Sequence, residues 1–570
     1  MEKWVVTAKR ADFQKIAQEF GIDPVTARLI RNRDVQEMEE IRQYLYGGIS
    51  DLPSPWLLKD MEKTVEILSQ KIKENKPMRV IGDYDIDGVT SVYILLKGLK
   101  RLGAVVDTYI PDRIKDGYGL HEELICKAAE DQMDTVITCD NGIAACKEIA
   151  LAKKLGLTVI VTDHHEVPFE ETESEKRELL PPADAIINPK QKKCPYPNKN
   201  ICGAVTAWKL IWALYERHGI SKEEIFSFLE FAAIATVGDV MDLQGENRII
   251  VKEGLKVLAV TENTGLLALM QNNGLEPEQV KAYHIGFVLG PCINAGGRLD
   301  TASRALALLL AEDKAGAGKL AGDLTALNQS RKALTEQGKA DAVWQVEHGG
   351  ICRDKVLVIY LPDCHESLAG IIAGRIRELY HKPVFVLTKA ESGVKGSGRS
   401  IEAYSMYEEL TKCSELLEKF GGHPMAAGLS MKEEYVEIFR QRINEECTLT
   451  EEDLIPKIVI DIPMPISYIT KERIQQLSLL EPYGKGNEKP LFAQKGLQVS
   501  GMRVFGKNRN VTKMKLRDET GTIMDAVYFG EADVFVDYVK QKESIMITYY
   551  PEINVYQGRE SIQIVIRNYR

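Results

Sequence analysis

The sequence lacks the features that would place it in a membrane or outside the cell. No apolar run among its 570 residues approaches the roughly 20 residues that cross a bilayer. Its first residues, MEKWVVTAKRADFQ, lack the apolar stretch and the small-residue cleavage site of a secretory signal. We therefore expect a cytoplasmic protein without a membrane partner.

Paired cysteines and an overall positive charge are also absent. The ten cysteines include no Cys-x-x-Cys pair, which argues against zinc fingers and against a disulfide framework. The net charge of −10 argues against general attraction to nucleic acid, but a sum over the chain hides local sign. Residues 501–520 carry six Lys or Arg and two acidic residues, so a polynucleotide site there is compatible with the acidic total.

Length and sequence pattern predict a multidomain α/β protein. At about 150 residues per domain, the chain is long enough for roughly four domains. The predicted order is a helical N-terminal lead-in (1–60), a parallel-sheet domain (61–310), a long helical connector (311–348), a smaller α/β domain (349–450) and a C-terminal small β-barrel (451–570). In the lead-in, Asp23 before Pro24 predicts the start of a helix.

Apolar runs of strand length alternate with amphipathic helical stretches between Met78 and Leu243. These runs are MRVIGDYD, TVITCDNG, LTVIVTDHH, ADAIINP and FAAIATVGDVMDL. Such alternation is typical of a parallel sheet that is covered by helices.

Four of these runs end in acidic or imidazole side chains. The groups are Asp83, Asp85 and Asp87 after the first run, Asp140 after the second, Asp163, His164 and His165 after the third, and Asp239 after the last. Each group has an ordinary alternative, namely a tight turn at Asp140, a capped helix start at DHH and an N-cap at Asp239. The carboxyl ends of parallel strands meet at one edge of a sheet, however, so the four groups together predict a metal site.

The chemistry of these donors indicates which metal they would bind. Carboxylates held close together need a counter-charge, because otherwise their pKa values rise and they become protonated. Carboxylate and imidazole donors without thiolate favour Mn²⁺ or Mg²⁺ over structural zinc. The donors suffice for two ions, a pair that activates water and holds a phosphoryl oxygen during hydrolysis of a phosphate ester or anhydride.

Several motifs carry a family resemblance. DYDIDG, CDNG, DHH and GDVMDL resemble, in order and spacing, the motifs of the DHH phosphoesterase superfamily. GFVLGPCINAGGRLDTA, GSGRS, FGGHPMAAGLS and LEPYGKGNEKPLF further resemble bacterial RecJ-type exonucleases, and this resemblance spans nearly the whole chain. It implies DHH, DHHA1 and OB-fold domains and a 5′-to-3′ exonuclease that degrades single-stranded DNA to 5′-mononucleotides in DNA repair and recombination.

The resemblance also implies roles for individual residues at the metal site. Asp85, Asp87, Asp140, His164 and Asp239 would bind the metals, with Asp140 and His165 catalytic. Many superfamily members have histidine where this chain has Ile81, and Asp83 is the predicted substitute ligand.

A further set of residues is implied to contact substrate phosphates. This set is Arg113, Asn294, Arg298, Ser397, Arg399 and His423. Asn294 and Arg298 are expected in a phosphate-facing loop, in which Cys292 replaces a common arginine. KGSGRS lacks the Walker spacing, so no ATP site is predicted. A surface ion pair at Arg113, a structural role for His423 and a core position for Phe505, which could otherwise stack on a base, stay open as alternatives.

Two other functions compete with the exonuclease. A relative acting on short oligonucleotides, cyclic dinucleotides or pyrophosphate would need no extended binding surface, and an inactive relative would serve as a scaffold in replication. Beyond single-stranded DNA, single-strand-binding protein and a RecQ-type helicase are the candidate partners. We expect a monomer.

Overall fold

The computed structural model describes residues 2–112, 119–171 and 176–570. The chain forms two compact units, each made of two segments. The large unit comprises Trp4–Gly290 and Val459–Arg570, and the small unit comprises Met1–Lys3 and Pro291–Ile458. In the described residues, no helix has both the length and the apolar character needed to cross a membrane.

The N-terminal lead-in is helical, as predicted, and has one additional strand. Its elements are β1 (Lys3–Val6), α1 (Phe13–Phe20), α2 (Pro24–Asn32) and α3 (Met38–Tyr46). The Asp23 carboxylate accepts a hydrogen bond from the Val25 amide, and Pro24 occupies the first turn of α2. This is the predicted helix start.

The next segment contains the predicted parallel sheet. Its elements are α4 (Met61–Lys73), β2 (Met78–Ile81), α5 (Ile86–Arg101), β3 (Val106–Tyr109), α6 (Glu122–Glu130), β4 (Thr135–Cys139), α7 (Cys146–Lys154), β5 (Thr158–Thr162), β6 (Phe169–Glu171), β7 (Lys176–Glu178), β8 (Ala185–Ile187), α8 (Gly203–Arg217), α9 (Lys222–Phe226), α10 (Leu229–Gly238), α11 (Gly245–Leu258), α12 (Thr264–Asn272) and α13 (Ala282–His284), which continues into a π-helix, Ile285–Leu289. Five strands pair in parallel in the order β3-β2-β4-β5-β8. β6 and β7 form a separate antiparallel pair.

One predicted strand is wrong. The run FAAIATVG forms α10, a helix whose residues from Leu229 to Thr236 are all buried. A fully buried helix shows no polar face, so its sequence is as continuously apolar as a central strand. The other four runs form β2, β4, β5 and β8.

The small unit has the predicted long helix and second α/β fold. Its elements are α14 (Gly290–Leu299), α15 (Ser303–Leu310), α16 (Lys314–His348), β9 (Leu357–Tyr360), α17 (Ala369–Tyr380), β10 (Val384–Lys389), β11 (Val394–Arg399), α18 (Met406–Lys412), β12 (Lys419–His423), β13 (Ala426–Met431) and α19 (Val436–Glu445). The strand order is β12-β13-β11-β10-β9, with only β9 and β10 parallel.

The C-terminal segment is the predicted small β-domain. Its elements are β14 (Lys457–Ile460), β15 (Ile462–Pro463), α20 (Lys471–Leu477), β16 (Phe492–Phe505), β17 (Val511–Arg517), β18 (Ile523–Phe529), α21 (Ala532–Lys540), β19 (Ile545–Tyr556) and β20 (Arg559–Tyr569). The sheet order is β15-β16-β17-β18-β20-β19, and pairing of β16 with β19 closes it on itself. Closure removes exposed strand edges.

The N-terminal helices and the C-terminal sheet share one hydrophobic core. Leu29, Ile30 and Leu45 of the helices belong to the same buried cluster as Phe492 and Tyr549 of the sheet. The two segments were predicted as separate domains, and this contact between them was not predicted from the sequence.

Candidate metal centre

The three carboxylates after β2 have different surroundings. Asp85 caps α5, with Oδ1 accepting hydrogen bonds from the amides of Asp87 at 2.9 Å and Gly88 at 3.1 Å. Asp87 accepts hydrogen bonds from the amides of Gly203 and Ala204, both at 2.7 Å. These amides form the first turn of α8, where the helix dipole favours an anion.

Two glycines allow the backbone to close around these carboxylates. A Cβ on Gly88 would lie 2.4 to 2.6 Å from backbone atoms of Asp83, so the first turn of α5 packs directly on the end of β2. A Cβ on Gly203 would lie 2.8 Å from Cβ of Asp140. Side chains at either position would push the acidic residues apart.

Asp140 lies in a turn and also faces the cluster. Its φ of 60° is left-handed, a conformation that Asp tolerates better than most residues. Asn141 stabilises the turn by donating from Nδ2 to the Cys139 carbonyl at 3.1 Å. Oδ1 of Asp140 lies 3.0 Å from Nε2 of His164. The turn and the acidic cluster, which the sequence left as alternatives for this residue, therefore occur together.

Asp163 orients His165, the second of the two histidines that follow it. Its Oδ1 accepts hydrogen bonds from the amides of His164 and His165 and lies 2.8 Å from Nδ1 of His165. Its Oδ2 accepts a hydrogen bond from the Ile143 amide at 2.9 Å. Asn188 donates to the His165 carbonyl at 3.0 Å, so both the ring and the backbone of His165 are fixed.

His164 lies at the centre of the acidic groups. Its Nε2 is 3.0 Å from Asp140, 3.5 Å from Oδ2 of Asp87 and 3.8 Å from Oδ2 of Asp239. Asp239 follows α10, so it reaches the cluster from the end of a helix and not from the end of a strand. The expected convergence is found, although the reason predicted for Asp239 is wrong.

The donor atoms form three overlapping groups, within each of which they lie no more than 4.8 Å apart. The groups are Asp140, His164 and His165, then Asp87, His164 and Asp239, then Asp83, Asp85 and Asp140. Asp140 and His164 each belong to two groups. This arrangement fits two neighbouring divalent cations that share ligands.

Ile81 packs in an apolar cluster and belongs to none of these groups. It is the last residue of β2, is fully buried and belongs to the apolar cluster that contains Val136 and Val159. Asp83, two residues later, contributes to the group with Asp85 and Asp140. The assignment of Asp83 as the substitute ligand stays a prediction.

Burial and mutual repulsion raise the pKa values of the clustered carboxylates. Burial, followed by the charge of Asp87, raises the pKa of Asp85 and raises that of Asp140 well above its usual range. The same causes raise the pKa of Asp239 to about 8. Divalent cations would offset this repulsion and keep the carboxylates ionised.

The two histidines shift in opposite directions. Burial is the main cause that lowers the pKa of His164. Burial alone would also lower the pKa of His165, but the hydrogen bond and charge of Asp163 outweigh it and raise that pKa to about 9. Burial acts against ionised Asp163, yet its bonds to His165 and nearby amides lower its pKa to about 2. His165 and Asp163 therefore form a charged pair.

Two parts of this site are not predicted from the sequence. The amides of Gly203 and Ala204 have only a weak signal, the small residues that open the apolar helix GAVTAW. The orienting role of Asp163 could have been inferred from its position directly before two histidines.

The loop conformation predicted for Asn294 and Arg298 is wrong. Asn294 and Arg298 lie on α14, a helix, and Nη1 of Arg298 donates to the Ser367 carbonyl at 2.9 Å. Gly296 of this helix allows close packing, since a Cβ there would lie 3.0 Å from the Thr301 carbonyl oxygen and 3.3 Å from Cδ2 of Leu324. Cys292 is buried. Arg113 lies outside the described residues.

The other predicted phosphate-binding residues lie together on one sheet of the small unit. Ser397 and Arg399 are on β11 and His423 is on β12, so the Gly-rich segments form strands. Arg399 and His423 both pair in register with Ala426 of the strand between them. We call Ser397, Arg399 and His423 the strand-end patch, and its substrate role stays a prediction.

The basic stretch 501–520 forms the hairpin of β16 and β17. Phe505 is 46% exposed, which excludes a core position, and Nζ of Lys513 lies 5.8 Å from the centre of its ring. An exposed ring beside cations is a suitable surface for stacking a base.

Three family models match the chain. They are the DHH family N-terminal domain at residues 77–236, the DHHA1 domain at 353–449 and the RecJ OB domain at 460–568. The single-stranded-DNA-specific exonuclease RecJ of Bacillus subtilis is 35% identical, with 99% of this chain and 70% of that protein covered. The Escherichia coli protein of the same name is 33% identical, with 96% of each covered.

Solved structures give the same result. The crystal structure of RecJ in complex with Mn²⁺ from Thermus thermophilus matches with a TM-score of 0.84 and 28% identity, covering all of this chain and 79% of that one. The complex with Mg²⁺ from the same organism matches with a TM-score of 0.78 and 27% identity, covering all of this chain and 78% of that one.

Proposed function

This chain belongs to the RecJ family of single-stranded-DNA-specific exonucleases, and we propose that it removes 5′-mononucleotides from the 5′ end of single-stranded DNA in repair and recombination. It is a hydrolase of phosphodiester bonds. The 5′-to-3′ direction and the 5′-mononucleotide product are part of this proposal.

The metal donors fit Mn²⁺ or Mg²⁺, the ions of the related structures. The proposed ligands are Asp83, Asp85, Asp87, Asp140, His164 and Asp239, whose oxygen and imidazole donors suit these ions. When bound, the ions activate a water molecule and neutralise charge on the phosphoryl oxygens.

His165 is the proposed group that stabilises the reacting phosphate. Asp163 holds its Nδ1 at 2.8 Å, and although burial opposes the charged ring, the hydrogen bond and charge of Asp163 raise the pKa of His165 to about 9. Its other nitrogen can then donate to a phosphoryl oxygen as negative charge develops. Asp140, which belongs to two of the donor groups and lies 3.9 Å from Nδ1 of His165, is the second proposed catalytic residue.

The observation that carries the single-strand proposal is a groove in the large unit. It has a volume of about 1460 Å³ and is lined both by residues next to Asp239 and by residues of the C-terminal sheet. Exposed rings of Tyr283 and Phe287 stack 4.9 Å apart along it. Lys489 and Arg567 also line this groove, as do Lys485, which pairs with Asp242 at 3.2 Å, and several acidic residues. Rings for bases and cations for phosphates suit a flexible single strand.

The strand-end patch and the hairpin 501–520 are proposed as further phosphate contacts. Asn294 and Arg298, which lie on α14, are also proposed to contact substrate phosphates, and so is Arg113. The family matches lie within the proposed domains 61–310, 349–450 and 451–570, which supports these boundaries. We also propose a cytoplasmic monomer that cooperates with single-strand-binding protein and a RecQ-type helicase.

A nuclease assay tests the proposal. Long single strands labelled at the 5′ or the 3′ end are incubated with Mn²⁺, with Mg²⁺ or with EDTA. We expect labelled mononucleotide at once from the 5′-labelled strand, progressive shortening of the 3′-labelled strand, and neither with EDTA. Mononucleotide first from the 3′ label would contradict the direction. Cleavage of a dinucleotide alone would favour the small-substrate alternative, and inert protein that binds a helicase would favour the scaffold.

A further inference from the structure

Among the described residues of the large unit, seven helices end in the same backbone turn. In each, a residue with left-handed φ donates its amide to the carbonyl three residues earlier, and the next amide bonds five residues back. The left-handed residues are Asn75, Gly103, Gln132, Gly156, Gly219, Val240 and Gly274. Four of these are glycine, which adopts this conformation without a steric penalty.

Val240 is the exception in this set. Among the described residues with positive φ it alone is β-branched, and its φ is 56°. A β-branched side chain at such a φ is strained. Val240 is also 61% exposed, so its side chain gives the fold little packing in return. Strain that packing does not explain is most often found at functional sites.

The position of Val240 indicates what the strain serves. It follows Asp239, and adjacent Cα atoms are about 3.8 Å apart. Oδ2 of Asp239 faces the cluster at His164, whereas Val240 lines the groove that also contains Tyr283 and Phe287. A phosphate at the donor groups would bring its nucleoside within reach of Val240.

We propose that Val240 is a substrate-contacting residue, whose side chain packs against the nucleoside next to the scissile phosphate. This inference rests on the proposed action on single-stranded DNA. The turn alone requires only a left-handed residue, which glycine provides better. The isopropyl group adds an apolar surface that excludes water beside an otherwise acidic site.

The test compares Val240→Gly with Gln132→Gly. Both variants relieve strain in the same turn, and Gln132 ends α6. The affinity of a fluorescent oligothymidylate is measured in EDTA, where no cleavage occurs, together with KM, kcat, Mn²⁺ affinity and the thermal midpoint. Val240→Asn is a second variant, because Asn tolerates the left-handed region but is polar.

We expect Val240→Gly and Val240→Asn to weaken oligonucleotide binding and raise KM by about three- to tenfold, since a lost apolar contact of one side chain has this size. Their thermal midpoints and Mn²⁺ affinities should not fall. Gln132→Gly should leave binding unchanged.

Unchanged oligonucleotide affinity in Val240→Gly would overturn the inference. A parallel loss of Mn²⁺ affinity would also overturn it, because Val240 would then act by holding Asp239. Wild-type protein that binds but does not cleave single strands would contradict the proposed function instead, and the affinity comparison would still decide the role of Val240.

Discussion

The metal centre of the large unit and the strand-end patch of the small unit are built in opposite ways. In the first, buried carboxylates raise each other's pKa and converge on His164 from several elements. In the second, exposed His423 and partly exposed Arg399 lie on strands on either side of β13, without crowded charges of one sign.

The two sites therefore differ in how they affect the free energy of folding. The cluster costs folding free energy until cations arrive, so it depends on glycines, helix amides and buried strands that hold it together. The strand-end patch lies on a sheet that is held by backbone hydrogen bonds between strands, and these bonds do not depend on the side chains of the patch. A change at the cluster should therefore alter both stability and chemistry, whereas a change at the patch should alter binding alone.

The largest expected effect is at Asp140. Asp140→Ala should reduce kcat by roughly 10³-fold or more, because metal coordination contributes several kcal/mol to the transition state. Binding of single-stranded DNA, measured by fluorescence anisotropy, should change little. Equal losses of binding and cleavage would mean that Asp140 supports the fold and would weaken the contrast between the sites.

The second prediction concerns pH and metal together. Asp239 has a pKa of about 8 in the folded state against an ordinary value of 3.8, so the native state holds a proton that the unfolded state has lost. Without cations, the free energy of unfolding should therefore fall by roughly 2 to 5 kcal/mol as the pH rises from 4 to 8.

Mn²⁺ should reduce this pH dependence, because bound cations keep the carboxylates ionised. Denaturant titrations at several pH values, with and without Mn²⁺, measure the effect. Asp239→Asn is the matched control and should show a shallower slope without metal. An identical slope in wild type and Asp239→Asn would rule out Asp239 as the source.

The third prediction tests the orientation of His165. Asp163→Asn should lower kcat by about 10- to 100-fold, the usual cost of losing a partner that orients a functional side chain. KM for single strands should stay near the wild-type value. A comparable rise in KM with unchanged kcat would show that His165 binds substrate without stabilising the reacting phosphate.

The smallest expected effect is at the patch. Arg399→Ala should raise KM for single strands by about three- to tenfold and reduce the salt dependence of binding by about one counterion, as expected for a phosphate contact. The thermal midpoint should not change. Arg375→Ala removes an exposed arginine of the same unit and should leave KM unaltered. A lower thermal midpoint in Arg399→Ala would mean that the strand-end patch also affects stability, and it would contradict the contrast between the patch and the acidic cluster.

Local patterns predicted much of this molecule. Period and composition identified β2, β4, β5 and β8, and the acidic residues that follow β2, β4 and β5 predicted most of the cluster before any coordinates. This succeeds because a parallel sheet brings successive strand ends to one edge whatever else the chain does.

The failures arise where tertiary packing decides. FAAIATVG forms a helix that is buried on all sides, and such burial removes the periodicity that separates helix from strand. In GPCINAGGRL, a Cβ on Gly296 would lie 3.0 Å from the Thr301 carbonyl oxygen and 3.3 Å from Leu324, which are tertiary contacts that the local sequence does not show. The amides of α8 that bind Asp87 carry almost no signal, since backbone groups are the same in every residue.

The core shared by the first helices and the last sheet has a consequence for biosynthesis. Tyr44 and Asn487, which hydrogen-bond within it, are 443 residues apart. At about 5 to 20 residues per second, the ribosome would need roughly 20 to 90 seconds between the two. Throughout that interval Leu29, Ile30 and Leu45 would have no barrel to cover them, so a nascent chain of this protein should depend on chaperones more than its compact product suggests.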